Sequence, residues 1–149
     1  MPIIHTAGIA AFAAVAATGV LPAERASAAG ALQGAPCEVS ARACVALSSR
    51  QAWLMRDGNV SYGPVPVATG QPNAPTVPGI FKVFWKDLHH RSSLFHNAPM
   101  PYSVFFDGGN AFHEDSVQVP SHGCVHLTHE AARTFYNTLH IGDEVQIVP

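Results

Sequence analysis

From Cys44 to the C-terminus, short apolar stretches alternate with turn-forming residues, and few stretches are long enough for a helix. "CVALS" and "QAWLMR" have the length and apolar content of strands. Asp57-Gly58-Asn59 carries the Asp-Gly signal of a tight hairpin, so "VSYGPVPVA" is expected to return beside "QAWLMR". Pro64 and Pro66 have no N–H to offer a neighbour, which puts the returning strand at a sheet edge or breaks it. "GIFKVFWK", Gly79 to Lys86, reads as one strand, and "YSVFF" as another that turns through "DGGN" to deliver "AFH" on the next. A helical period occurs once: Thr128 can cap it, Glu130 puts a negative charge in its first turn, and Ala131, Phe135 and Leu139 recur every four residues. "IGD" ends that helix and "EVQIV" reads as the last strand. The pattern predicts a mainly β domain with one helix near the C-terminus. Trp53, Phe84, Trp85, Phe105 and Phe106 read as core, and "KDLHHRSSLFHN", with His89, His90 and His96, as a solvated loop. His129 and His140 read as surface residues.

The first 28 residues follow another pattern. Ala7 to Leu21 is an unbroken apolar-rich run of 15 residues, short of a membrane span, followed by Pro22 and the small-x-small site Ala26-Ser27-Ala28. Residues 1–28 are therefore expected to be a signal peptide, 29–43 an N-terminal arm and 44–149 a single domain, leaving no stable membrane span after cleavage. No Lys or Arg precedes the apolar run, so the usual positive flank is missing. Twelve Gly and twelve Pro suit a turn-rich β domain. Lys and Arg total 8 against 10 Asp and Glu with no run of either, which leaves no electrostatic footprint for nucleic acid.

Three cysteines in an exported chain leave one unpaired when two are bridged. Cys37 and Cys44, seven apart, are the expected pair, pinning the arm to the first strand. Cys124 is then a free thiol within "PSHGCVHLTHE". A thiol with an ordinary pKa near ~8.5 is only slightly ionised at neutral pH, so a catalytic cysteine needs a nearby base or a cationic imidazole. His122, two residues away, would share its face on an extended segment. His113 could reach it across a hairpin or loop. Gly123, without a Cβ, lets the backbone come close to a substrate, so the N–H groups of Gly123 and Cys124 could face a developing oxyanion. Ser121 could orient a histidine. The rival reading is a metal site, with His122, Cys124 and His126 alternating on one face and His113 as a fourth donor. Successive donors on one face of a strand lie roughly 6.5–7 Å apart, which strains that set.

Taken together, the chain resembles the L,D-transpeptidase catalytic domain (YkuD-type) family. An upstream His followed by Ser-His-Gly-Cys is matched by His113 and by Ser121 to Cys124, and the Thr-x-Pro-Gly-x-Phe segment by Thr76 to Phe81. The resemblance covers Cys44 to Val148. It implies a compact, mainly β domain of mixed sheets or sandwich type, with a cysteine in a cleft and with no cofactor and no metal. It implies peptidoglycan stem peptides as acyl donor and amine acceptor, and hence a secreted, cell-wall or periplasmic setting. Cys124 would be the nucleophile and His113 the base, oriented by the carbonyl of Glu114, while backbone N–H groups around His122 to Cys124 hold the oxyanion. Tyr102 would line the cleft, and His126 would face the substrate. Two departures stand out. The family often has His-Gly-Thr or His-Ser where this chain has His113-Glu114-Asp115, and Arg or Asn two residues past the cysteine where this chain has His126.

Overall fold

A computed structural model describes residues 34–149; the expected signal segment and the start of the arm lie outside them. Nine strands and one helix follow in order: β1 (Ala43–Ala46), β2 (Gln51–Arg56), β3 (Asn59–Pro66), β4 (Gly79–Lys82), β5 (Trp85–Arg91), β6 (Pro99–Asp107), β7 (Asn110–Glu114), β8 (Val125–Leu127), α1 (His129–Thr138) and β9 (Glu144–Val148). They form a five-stranded sheet in the order β3-β2-β1-β9-β4 and a four-stranded sheet in the order β5-β6-β7-β8. Both are mixed, because β9 runs parallel to β1 and β8 runs parallel to β7. The fold is the mainly β domain with one C-terminal helix that the sequence pattern predicts, in the mixed-sheet form that the family resemblance implied.

The alternation of side chains sorts each sheet into two faces. Ala43, Val45, Ala52, Leu54, Val145 and Ile147 point from the larger sheet into the main core, where they meet Val104, Phe106, Phe112, Val125 and Leu127 from the smaller one. Ala131, Ala132, Phe135 and Leu139 of α1 pack in the same core. Thr128 caps the helix as expected, its Oγ1 accepting from the Ala131 N–H, and Glu130 lies in the first turn. No basic residue lies in the last turn. Lys86 of β5 supplies the missing charge, its Nζ donating to the carbonyls of Tyr136 (2.6 Å) and Leu139 (2.7 Å), where the helix dipole is negative.

The prolines place β3 at the sheet edge, as expected. Three sequence expectations are corrected. "GIFKVFWK" is two strands in different sheets: buried Val83 bonds to Asp143 and Gly142, whereas the Phe84 N–H already donates to Phe105 O (3.0 Å), so the chain crosses over between them. "KDLHHR" is strand, not loop. As the edge of the smaller sheet β5 carries polar residues that mimic a loop, while "SSLFHN", exposed apart from buried Ser92, is the turn that follows. Trp53, Phe105 and Phe106 are buried, but Phe84 and Trp85 are 49% and 44% exposed; Trp85 stacks on Phe105 at 4.6 Å, outside the core.

The outer face of the larger sheet is closed by the arm. Ala35, Cys37 and Ala41 cover Cys44, Ala46, Trp53 and Met55, and Cys37 is bridged to Cys44 with Cα atoms 5.8 Å apart. Cys124 is free. A seven-residue loop removes little unfolded-state entropy, so the Cys37→Ala/Cys44→Ala variant should keep the fold and lose roughly 2–3 kcal/mol in urea denaturation. A loss of the folded state would mean that the bridge carries far more of this face than its loop length allows.

Candidate active site

Parallel pairing of β7 with β8 sets Phe112 beside Val125, His113 beside His126 and Glu114 beside Leu127. Laterally paired residues of neighbouring strands share a face, so Phe112 and Val125 enter the core while His113 and His126 emerge on the opposite side. Cys124, two residues before His126, emerges there too. All three line a cleft of about 610 Å³ whose far wall is apolar, built from Trp85, Leu94, Phe95, Met100 and Phe105. His90, half-buried on β5, belongs to this wall, edge-on to Trp85 and Phe105 and 3.1 Å from Asp87 Oδ2 through its Nδ1.

The turn that presents Cys124 is held from inside. Ser121 Oγ donates to the Cys124 carbonyl and accepts the Gly123 N–H (3.1 Å), so Ser121 ties the turn and orients no histidine. Its backbone is clamped in turn, its N–H to Thr69 O and its carbonyl to the Gln71 N–H, both at 3.0 Å. Gly123 has φ +118°, a backbone conformation that favours glycine, and a Cβ there would also oblige the Asn110 side-chain amide to shift. Thr76, buried and not among the expected site residues, accepts the Gly70 N–H (2.9 Å) and donates to Gly123 O (2.9 Å). The "Thr-x-Pro-Gly" stretch was the available signal for it: one hydroxyl joins the Thr69-Gly70 turn to the cysteine turn.

His113 is buried, with Nδ1 2.9 Å from Glu114 O. A carbonyl only accepts, so Nδ1 carries the hydrogen and Nε2 keeps its lone pair. Burial drives the His113 pKa down to about 4, the Glu114 carbonyl opposing this and the neighbouring His126 adding to it. Burial also pushes the Cys124 thiol up, against a hydrogen bond from the Ala111 backbone and with help from the Asp115 charge. At neutral pH Cys124 is thus a thiol and His113 a neutral imidazole, both lining the same cleft.

The other expected site residues fall elsewhere. His122 is exposed and its ring lies tilted against that of Phe95, with centroids 4.6 Å apart. His126 is buried at the cleft with Nδ1 3.2 and 3.1 Å from the carbonyls of Ser116 and Val119, its ring edge-on to His113 at 4.9 Å. The Glu114 carboxylate turns away to His129 Nδ1 (2.9 Å). Tyr102 does not line the cleft. It shares the core side of β6 with Val104 and Phe106, and its ring meets His129 and Tyr136. Its left-handed backbone (φ 59°) interrupts the alternation, so Met100 and its partner His90 return to the cleft side. The alternating set His122, Cys124 and His126 is not gathered as a donor cluster. Among the described residues, the donor atoms that converge belong to His113, Asp115 and His126, all within 4.8 Å of one another.

The family model of the YkuD L,D-transpeptidase catalytic domain matches residues 40–147. The chain belongs to this family. Its fold matches that of an L,D-transpeptidase from Stackebrandtia nassauensis with TM-score 0.68 and 31% identity, over 72% of this chain and 54% of that one. An L,D-transpeptidase from Mycobacterium tuberculosis H37Rv shares the fold at 24% identity and TM-score 0.66, over 70% and 56% of the two chains. So does L,D-transpeptidase 3 from Mycobacterium tuberculosis, solved with a faropenem-derived adduct, at 22% identity and TM-score 0.63 over 70% and 58%. The chain spans little more than half the length of these YkuD structures. No curated protein sequence matches it.

The raised thiol carries a pH signature. A thiolate that forms only above the ordinary thiol range makes alkylation rise through alkaline pH, so in metal-free buffer the rate of Cys124 modification by iodoacetamide should climb with pH and show no plateau below neutrality. A plateau on the acid side would reveal a resting thiolate–imidazolium pair instead.

Proposed function

We propose that the chain is an exported L,D-transpeptidase that forms a thioester between Cys124 and a peptidoglycan stem peptide. The observation that carries this reading is the His113–Glu114 contact, which leaves Nε2 as a proton acceptor on the face where Cys124 opens into the cleft. The Cys124 sulfur attacks the carbonyl of an L-residue as its proton passes to His113 Nε2. The Gly123 N–H is committed to Ser121, so the oxyanion is held by the N–H groups of Cys124 and His122 rather than by that of Gly123. Collapse expels the amine of the terminal D-amino acid, which takes the proton back from His113. A second stem's side-chain amine then attacks the thioester, losing its proton to His113, and the thiol is released. Ser121, Gly123 and Thr76 act by positioning the turn.

An extracytoplasmic, cell-wall setting agrees with the disulfide, since such bonds persist in oxidising compartments, and with the wall substrates of the family. Among the described residues no helix is long and apolar enough to cross a membrane.

Intact-mass analysis tests the proposal. The parent should gain the mass of a stem-tetrapeptide acyl group or of a faropenem adduct, and an added acceptor peptide should discharge the acyl group as a cross-linked product. Cys124→Ala should stay folded and gain neither adduct. His113→Ala should lower the acylation rate about 10²–10⁴-fold, the range of a lost general base, whereas His122→Ala, on the exposed rim, should cost less than about tenfold. Adduct formation by Cys124→Ala would overturn the assignment of the nucleophile.

A further inference from the structure

We infer that His113, Asp115 and His126 form a binding site for a d-block divalent cation, zinc foremost, and that an ion held there takes from His113 the lone pair needed for catalysis. The inhibitory consequence rests on the reading of His113 as the base; the binding site itself does not.

One donor atom from each of the three residues lies within 4.8 Å of the other two. Zinc with bonds of about 2.0–2.2 Å needs ligand atoms roughly 3.3 Å apart, so closing the set requires movements of about 1.5 Å or less. Asp115 can supply them: its side chain is 49% exposed, which also gives the ion a path in, while that of His126 is 9% exposed.

Each ligand is oriented by a backbone partner on its other atom, the arrangement that fixes first ligands in metal sites. His113 Nδ1 is bound to Glu114 O, His126 Nδ1 to the carbonyls of Ser116 and Val119, and Asp115 Oδ1 to the Ser116 N–H (2.7 Å). Carbonyl partners force the hydrogen onto Nδ1 of both rings, so both Nε2 atoms present lone pairs when neutral. His126 Nε2 then faces Asp115 Oδ2 at 3.7 Å, too far for a hydrogen bond. Lone pairs and a carboxylate converging without a hydrogen between them repel, and a cation removes the repulsion. Two imidazoles and one carboxylate, with a fourth position open to the cleft, is a donor set that zinc accepts.

The test uses the full chain carrying Cys124→Ala, which deletes the thiol as an alternative ligand without filling the cleft. Titration with Co²⁺ should give one tight equivalent with a ligand-field absorption band and no thiolate charge-transfer band, displaced by Zn²⁺. Asp115→Asn and, separately, His126→Asn in that background should each weaken binding at least tenfold. In the parent, Zn²⁺ should slow faropenem acylation reversibly, EDTA should restore it, and Asp115→Asn should raise the inhibiting concentration at least tenfold. Absence of a tight equivalent, or binding unchanged by Asp115→Asn, would overturn the site. Tight binding by a chain that shows no acylation would support the site and count against the transpeptidase reading alone.

Discussion

Parallel pairing of β7 with β8 is the constraint on which the site depends. Its register decides that Phe112 and Val125 enter the core while His113, Cys124 and His126 face outward. A slip of one residue would exchange the two sets, burying the imidazole where Phe135 packs and exposing Phe112. The core therefore enforces the chemistry: Phe112, Val125 and Leu127 are fully buried, and their packing against α1 holds the register that aims the polar face.

The constraint extends into the turn before β8. Ser121 bonds inside the turn, Thr76 ties it to the Thr69-Gly70 turn, and Ala68 exchanges backbone hydrogen bonds with His126, so residues 68–76 brace the turn that carries Cys124 from the larger sheet's side. Burial then sets the protonation states. The same burial that lowers the basicity of His113 raises the thiol's pKa, so both groups are neutral at neutral pH.

Much of this was legible in the sequence. Six of the strands and the helix announce themselves through apolar runs, Asp-Gly turns and the Thr128 cap, and β3 declares its edge position through its prolines. The short "SHGC" run with the upstream His113 pointed to a candidate site chiefly through its resemblance to the family motif, since the residues alone left a metal site and a buried thiol open. What was illegible depends on partners distant in sequence. The break at Val83 comes from hydrogen bonds to Gly142 and Asp143, and β5 looks like a loop because only one edge of it is paired. Spacing favoured an antiparallel or looped approach of His113 to Cys124, whereas residues 115–124 make a short crossover to a parallel strand. That crossover brings Asp115 and His126 together. They lie at the two places where the chain departs from the family pattern, and nothing in their spacing shows that they meet.

The central claim is that the Glu114 carbonyl fixes His113 with its hydrogen on Nδ1 and its lone pair on Nε2, toward the cleft. Long-range ¹H–¹⁵N correlation spectra of the histidine side chains, recorded on ¹⁵N-labelled, metal-free protein at neutral pH, read the tautomer directly. The account predicts that His113 is neutral, with a protonated Nδ1 and a bare Nε2, and that Cys124→Ala leaves this pattern unchanged. A His113 that is protonated on Nε2, or cationic at neutral pH, would contradict it.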